Sequence, residues 1–177
     1  MNFATIKNCD IANGPGVRVS LFVSGCTHRC KGCFNEVAWD FGYGEPFTRE
    51  TEDQILGLMA PDYIRGLTLL GGEPFEPQNQ PALVGLLRRV KEKYPEKSIW
   101  AFSGYLFDRD ILPGKLGDPD VTREFLSYLD VLVDGPFVEA RKNLSLRFRG
   151  SDNQRLIDVP ASVRQGTVVL WEDGRSV

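Results

Sequence analysis

Short apolar runs alternate with amphipathic segments along the chain, and this alternation predicts successive strands and helices. Four runs rich in β-branched and aromatic residues are predicted to be strands, at Val17–Val23 and at residues 67–70, 99–102 and 131–133. A fifth run, at residues 167–170, is predicted to be one more strand. Glycine or polar residues follow each of the first four runs, so each predicted strand ends sharply.

Two segments between these runs show the spacing of a helix with one buried face. Thr48 is placed to cap a helix that extends to about residue 59, and Pro61 ends it. The clearer helix covers residues 81–94, where leucine and valine recur every three or four positions, and Asn79 is its predicted cap. A strand therefore leads to a helix, which leads to the next strand, at least twice.

A weaker pattern follows the third predicted strand. Residues 103–120 are rich in glycine, proline and aspartate and are predicted to be largely loop. Thr122 is then the predicted cap of a short helix that ends near residue 129. The fold class is therefore α/β with mostly parallel strands, either an open doubly wound sheet or a partial (β/α) barrel.

The unusual sequences of the chain stand where the predicted strands end. Both candidate architectures bind ligands at the carboxyl ends of their strands, so one active face is expected there. The four segments concerned are the stretch from Cys26 to Cys33, Gly71-Gly72-Glu73-Pro74, Ser103-Gly104-Tyr105 and Asp134-Gly135.

Composition narrows the classes of function. The 177 residues include 42% hydrophobic residues and carry 21 Lys plus Arg against 24 Asp plus Glu, a net charge of −3, which fits one globular domain over residues 1–177. A sequence pI near 5.3 disfavours a general nucleic-acid binder. The sequence contains neither an apolar run of membrane-spanning length nor a signal peptide, so a cytoplasmic protein is expected.

Three of the four cysteines lie close together, at Cys26, Cys30 and Cys33, and three thiolates suit three corners of a [4Fe–4S] cluster with one iron left open. The alternative is a structural zinc site with Cys9 or His28 as the fourth ligand, although the sequence has no second cysteine pair of the usual kind. We interpret His28 as a solvent-facing loop residue and Cys9 as a small buried hydrophobe.

The cysteine motif followed by Gly71-Gly72-Glu73-Pro74 resembles the radical S-adenosylmethionine (SAM) superfamily. Within that superfamily, residues 10–155 are similar to the small activating enzymes of anaerobic ribonucleoside-triphosphate reductase. The closer similarity is carried by Asn13-Gly14-Pro15-Gly16-Val17-Arg18, Leu21-Phe22-Val23-Ser24-Gly25-Cys26, Gly32-Cys33-Phe34-Asn35, Gly44-Glu45-Pro46-Phe47-Thr48, Ser103-Gly104-Tyr105, Val131-Leu132-Val133-Asp134-Gly135 and Arg149-Gly150-Ser151. The resemblance favours the partial (β/α) barrel of radical SAM type.

The resemblance also implies roles for named residues. It assigns Cys26, Cys30 and Cys33 to the [4Fe–4S] cluster, whose open iron would bind the amino and carboxylate groups of SAM. It places Gly71, Gly72 and Glu73 at the methionine end of SAM and Gly32, Cys33 and Phe34 at the adenine. Because glycine lets the backbone approach a ligand closely, a branched side chain at Gly72 is expected to block SAM and to leave the cluster intact.

The implied reaction is reductive cleavage of SAM to methionine and a 5′-deoxyadenosyl radical, which takes a hydrogen atom from a glycine of the large reductase. The implied electron donor is reduced flavodoxin or a ferredoxin-type protein, and neither nucleic acid nor a membrane is an expected partner. Two enzyme alternatives are an activator of pyruvate formate-lyase and a 7-carboxy-7-deazaguanine synthase-like enzyme. A non-catalytic iron–sulfur or zinc module is the alternative of another class.

For several residues the sequence supports two interpretations. The Asn13-Gly14-Pro15-Gly16 segment is either a turn with no further role or part of a surface that contacts the partner. Asp134 either bonds a ribose or belongs to an Asp-Gly-Pro turn. The basic residues Arg141, Lys142, Arg147, Arg149 and Arg155 are either a solvated face or the source of a cation for the SAM carboxylate or an acidic partner loop.

Overall fold

Seven strands form one mixed sheet in the computed structural model, which describes residues 1–172. The strands are β1 (Asn2–Asp10), β2 (Val17–Val23), β3 (Glu45–Pro46), β4 (Ile64–Gly71), β5 (Ser98–Phe102), β6 (Val131–Asp134) and β7 (Arg155–Asp158). Their order across the sheet is β3-β1-β2-β4-β5-β6-β7, and the sheet is not closed.

The four central strands confirm the predicted parallel arrangement, since β2, β4, β5 and β6 pair in parallel. The strands at the edges do not follow it: β1 pairs antiparallel with both β2 and β3, and β7 pairs antiparallel with β6. The sheet is therefore mixed, with a parallel centre that brings four carboxyl ends to one edge.

Helices connect the parallel strands. They are α1 (Arg49–Leu58), α2 (Gln80–Lys93), α3 (Pro119–Tyr128) and α4 (Val159–Gln165), and shorter helical turns cover Glu36–Trp39, Phe107–Ile111 and Glu139–Arg141. Thr48 caps α1 as predicted, because its side chain accepts a hydrogen bond from Thr51 N. The helices α1, α2 and α3 share one apolar core with alternate residues of the central strands, such as Leu67 and Leu69.

The opposite face of the sheet carries a smaller aromatic cluster around the fully buried Trp100. Trp100 contacts the rings of Phe148 and Trp171 edge to face, at centroid distances of 5.4 and 5.0 Å. Arg18 lies on this face as well, with its guanidinium carbon 5.6 Å from the Trp100 ring. This face leads to the carboxyl ends of the strands.

Two predictions about elements were wrong. Residues 167–170 form no strand but only a bridge between Leu170 and Ile157, since β7 already occupies the place beside β6. Asp118, not Thr122, caps α3, and the Thr122 hydroxyl instead donates to Gln80 inside the structure. Residues 103–120 are largely loop, as predicted, and a short helical turn at Phe107–Ile111 lies within them.

The predicted cap of α2 has another role. Asn79 stands at the N-terminal position, but its side chain makes no capping hydrogen bond. Its amide nitrogen donates instead to the carbonyl oxygens of Ser24 and Glu73, both at 3.0 Å. Asn79 thereby joins the ends of β2 and β4.

Among the described residues, no helix is long and apolar enough to cross a membrane.

Candidate functional site

The four carboxyl-terminal segments converge on one cleft, as the sequence predicts. The cleft has a volume of about 450 Å³. Its walls include the three clustered cysteines, Gly71-Gly72-Glu73 from the end of β4, Ser103-Gly104 from the end of β5 and Gly135 from the end of β6. Residues from the segment between β6 and β7, among them Lys142, Leu144 and Arg149, form the remaining wall.

The cysteine loop begins where β2 ends, and backbone hydrogen bonds fix its first residues. Gly25 N donates to Ala38 O at 2.8 Å, and Cys26 N donates to Trp39 O at 3.2 Å. Cys26 is buried, whereas Cys30 and Cys33 are partly exposed to the cleft. The loop therefore presents one thiol from the protein interior and two nearer the opening.

The donor set fits a cluster with several metal ions. Among residues 1–172 no three His, Cys, Asp or Glu side chains surround one point closely enough to hold a single ion. In a [4Fe–4S] cluster each cysteine binds a different iron, so the three thiols need to line one cleft and do not need to share one centre. Burial raises the pKa of the Cys26 thiol to about 11 and also raises the pKa of the Cys30 thiol. A metal bound at these sulfur atoms would favour the thiolates and oppose this effect.

The double glycine lies beside the cysteine loop in an extended contact. Gly72 N donates to Val23 O at 2.7 Å, and Glu73 N donates to Gly25 O at 2.8 Å. A Cβ atom on Gly72 would stand 2.6 Å from the Gly25 carbonyl oxygen and 2.9 Å from that of Ala38. Close approach to the backbone beside the cysteine loop is therefore a second reason for glycine here, in addition to the ligand contact that the sequence predicts.

Glu73 lies in the wall of the cleft with its carboxylate occupied by protein groups. It is fully buried, and its Oε1 accepts a hydrogen bond from Phe75 N at 2.9 Å. Its Oε2 accepts from Gly104 N at 2.7 Å and lies 3.0 Å from His28 Nε2. The side chain of Glu73 thus connects three strand ends.

The interpretation of His28 as a solvent-facing residue was wrong. Its side chain is 17% exposed and its ring contacts Tyr105 edge to face, with centroids 4.3 Å apart. Burial alone lowers the pKa of His28, but the hydrogen bond and the charge of Glu73 outweigh burial, so the pKa is raised. The sequence contains one indication of this contact. His28 lies between two cysteines and Glu73 follows the double glycine, and both segments follow strands that are predicted to be parallel.

A second carboxylate holds the neighbouring residue of the loop. Glu76, which is buried, accepts hydrogen bonds through Oε1 from Thr27 N at 2.8 Å and from the Thr27 hydroxyl at 2.5 Å. Sequence reasoning did not identify Glu76 or Thr27. Together, Glu73 and Glu76 bind consecutive residues, His28 and Thr27, between the first two cysteines.

The residues predicted to face an adenine, Gly32, Cys33 and Phe34, all line the cleft. Gly32 has a positive φ of 73°, and Cys33 N donates to Cys30 O at 3.1 Å. The Phe34 side chain is 85% exposed at the edge of the cleft. Its ring is therefore available to an incoming group.

Asp134 is engaged inside the protein. The fully buried carboxylate accepts hydrogen bonds from Phe107 N at 2.7 Å and from Arg155, whose Nη2 lies 2.5 Å from Oδ2 and 2.8 Å from Asp108 Oδ1. Asp134 and Arg155 thus hold the turn at Phe107 against the ends of β6 and β7. Both residues therefore have a structural role at this edge of the sheet.

The rest of the basic stretch divides between the cleft and the surface. Lys142 and Arg149 line the cleft, and Arg149 Nη1 donates to Gln154 O at 2.6 Å. Arg141 pairs with Asp152 outside the cleft. Arg147 lies with its guanidinium carbon 4.9 Å from the Phe148 ring.

The turn before β2 is anchored from inside the sheet. Fully buried Arg18 donates to the Thr68 hydroxyl at 2.7 Å and to the Leu67 and Ser98 carbonyl oxygens, both at 2.9 Å. Thr68 in turn donates to Asn13 O at 2.8 Å. Since Asn13 also lines the cleft, this network sets one part of its wall.

Cys9 lies apart from the cleft-lining cysteines. It stands on β1, where the pairing with β2 is irregular, and it has a positive φ of 60°. Its side chain is exposed, so the expectation of a buried cysteine was wrong. Cys9 is not among the residues that line the cleft.

Comparisons with known proteins agree with the geometry. Residues 12–157 match a family model described as a 4Fe-4S single cluster domain. Similar proteins named anaerobic ribonucleoside-triphosphate reductase-activating protein include that of Enterobacteria phage T4, 43% identical over 159 residues, which are 88% of this chain and 93% of the relative. The protein of that name from Vibrio cholerae is 42% identical, over 87% of this chain and 96% of its own length, and the one from Escherichia coli is 41% identical over the same shares.

Proposed function

The chain belongs to the family of anaerobic ribonucleoside-triphosphate reductase-activating proteins, and on that premise we propose that it is a radical SAM activase. It would cleave SAM reductively and generate a glycyl radical on an anaerobic ribonucleotide reductase. The observation that carries this proposal is the convergence of three cysteines and the double glycine on one cleft. A non-catalytic iron–sulfur module would not need a cleft of about 450 Å³ beside its cysteines.

The cofactors of the proposed reaction are a [4Fe–4S] cluster, held by Cys26, Cys30 and Cys33, and SAM. When bound, they supply the one-electron chemistry that removes a hydrogen atom from the target glycine. The chain itself fixes the cysteine loop through Gly25, buries Cys26 and lines the space beside the thiols with main-chain groups. These groups orient the ligand and keep water from the reacting atoms.

The double glycine would receive the methionine end of SAM. Main-chain groups do this work, since Gly71 and Gly72 have no side chains and the Glu73 carboxylate is engaged with His28 and Gly104. Glu73 would therefore position the binding segment. Gly32, Cys33 and Phe34, which also line the cleft, would face the adenine.

The partner would cover the opening of the cleft. Phe34 and Leu144 lie at its edge with side chains 85% and 90% exposed, and exposed apolar groups around a cleft are typical of an interaction site. We infer that a glycine-bearing loop of the large reductase contacts this edge. Lys142 and Arg149 provide positive charge in the same wall.

The proposals for the fold type, the electron donor and the location rest on the same family membership. The open sheet would be a partial (β/α) barrel of radical SAM type, formed by one domain over residues 1–177. Reduced flavodoxin or a ferredoxin-type protein would donate the electron. We place the protein in the cytoplasm, without nucleic-acid or membrane partners.

The experiment that tests this function is anaerobic reconstitution of the full chain with iron and sulfide, followed by dithionite and SAM. We expect 5′-deoxyadenosine from the wild type and its loss, together with loss of the cluster, in Cys26→Ala, Cys30→Ala and Cys33→Ala. Cys9→Ala is the matched control and should retain both, because Cys9 lies outside the cleft. A wild-type cluster that yields no 5′-deoxyadenosine would favour the non-catalytic module, and cluster loss in Cys9→Ala would replace the open-iron arrangement by a four-cysteine site.

A further inference from the structure

The loop between Cys26 and Cys30 is held from outside by side chains of the β4 and β5 ends. His28, in the middle of this loop, lies with Nε2 3.0 Å from Glu73 Oε2. The ring is also packed, since it contacts Tyr105 edge to face at 4.3 Å. His28 is therefore held by specific contacts, although it is not one of the three proposed cluster ligands.

The partner of His28 is itself fixed. The Glu73 carboxylate is 1% exposed and accepts backbone hydrogen bonds from Phe75 and Gly104, so it cannot turn without breaking them. A buried carboxylate in this state is a rigid acceptor. Its bond to His28 consequently fixes the loop relative to both strand ends.

The sequence also keeps space for the imidazole. A Cβ atom on Gly104 would stand 2.5 Å from His28 Cδ2 and 2.7 Å from Nε2. Gly104 has an ordinary φ and needs no glycine for its own conformation. The glycine of the Ser103-Gly104-Tyr105 segment is therefore explained by the ring that lies against it.

We propose that His28 is a positioning residue, which through the hydrogen bond to Glu73 holds the Cys26–Cys30 loop in the geometry that receives the cluster. The inference rests on the proposed function for its cluster, and on the contacts alone for the fixed loop. Glu76 reinforces the effect, since it holds the adjacent Thr27 through two hydrogen bonds. The acidic pair Glu73 and Glu76 thus places the loop.

Two substitutions separate the hydrogen bond from the packing of the ring. His28→Gln keeps an N–H donor at nearly the same reach, whereas His28→Phe keeps an aromatic ring against Tyr105 and removes the donor. Lys31→Gln is the matched control in the same loop, because the Lys31 side chain is 91% exposed. Thermal unfolding of each chain first establishes that all four proteins fold.

The first measurement is amide hydrogen exchange over residues 26–30 in the chain without iron. His28→Phe should exchange at least about tenfold faster than the wild type, the lower bound expected from the loss of one hydrogen bond to a charged group. His28→Gln and Lys31→Gln should exchange like the wild type. This measurement does not depend on the cluster, so it tests the contact even if the proposed function fails.

The second measurement is the midpoint potential of the reconstituted cluster, followed by electron paramagnetic resonance. Loss of the donor leaves the Glu73 charge less compensated near the cluster, so His28→Phe should have a lower potential, and His28→Gln should restore it. Equal exchange and equal potential in wild type and His28→Phe would overturn the inference. Equal defects in His28→Gln and His28→Phe would also overturn it, since a property of the imidazole that neither variant keeps, such as an iron–imidazole bond, would then be the cause. Absence of any cluster in the wild type would count against the proposed function alone.

Discussion

Gly72 illustrates how single residues set the geometry of this site. Its backbone joins the end of β4 to Val23 O, and its missing side chain leaves room for the carbonyl oxygens of Gly25 and Ala38. Sequence reasoning identified the position from its place after a strand and before Glu-Pro. It did not identify the neighbours, because Gly25 and Ala38 lie 47 and 34 residues away along the chain.

We therefore predict that Gly72→Ala disturbs the cluster as well as SAM binding. The added Cβ would meet backbone oxygens at 2.6 and 2.9 Å, and the cysteine loop would have to shift at a cost of about 1–3 kcal/mol. The measurements are the free energy of unfolding of the iron-free chain and the iron bound per chain after reconstitution, both of which should fall.

Gly57→Ala provides the control for this substitution. Gly57 lies in α1 and its added Cβ would meet no atom within 4 Å, so alanine should stabilise the chain by roughly 0.5–1 kcal/mol and leave the iron content unchanged. Normal iron content in Gly72→Ala, with SAM binding alone weakened, would restore the simpler view that only the ligand requires this glycine.

His28 marks the limit of sequence reasoning at the residue scale. A histidine between cysteines is equally compatible with a ligand, a solvent-facing residue or a partner of a distant acid. The choice depends on whether Glu73 is buried and oriented toward the loop, which follows from the parallel pairing of β2 with β4. Such long-range pairings leave no periodic pattern in the chain.

Elements with a strong apolar period were predicted well, and elements at the sheet edges were not. The parallel strands β2, β4, β5 and β6 are almost wholly buried, so apolar residues occupy both of their faces. In contrast, β1 is mixed in burial and irregularly paired, and the four-residue β7 begins and ends with a charged residue. Their positions depend on neighbouring strands, which the local pattern does not encode.

Arg18 gives the clearest test at the scale of elements, because one buried side chain joins the turn before β2 to β4 and β5. Replacing it by methionine leaves the Leu67 and Ser98 carbonyl oxygens without these donors. We predict that Arg18→Met lowers the free energy of unfolding by about 3 kcal/mol, and that Arg18→Lys does not restore it, since an ammonium lacks the fork of donors.

Urea unfolding of the iron-free chain measures this effect. The control is Arg88→Met, which removes an exposed pair with Glu124 on the helical side and should change stability by less than about 1 kcal/mol. If Arg18→Met and Arg88→Met prove equally stable, the network around Arg18 does not hold the turn.

At the scale of the whole molecule, the sheet directs four strand ends to one cleft and leaves that cleft open on one side. The sequence predicted this single active face, because the unusual segments all follow strands that pair in parallel. It did not predict the wall made by the segment between β6 and β7, whose Leu144 and Arg149 belong to no regular element. The exposed rim at Phe34 and Leu144 is where the proposed partner completes the enclosure.

The central claim is that the chain generates a glycyl radical on an anaerobic ribonucleotide reductase. Electron paramagnetic resonance tests this claim most directly. The reduced, SAM-loaded wild type is mixed anaerobically with an anaerobic ribonucleotide reductase, and in parallel with pyruvate formate-lyase. The account predicts a glycyl doublet with the reductase and none with the lyase, and slow SAM cleavage when no partner is present. A doublet with the lyase alone would contradict the account and assign the chain to another glycyl-radical enzyme, and rapid SAM cleavage with no doublet on either protein would contradict a glycine target.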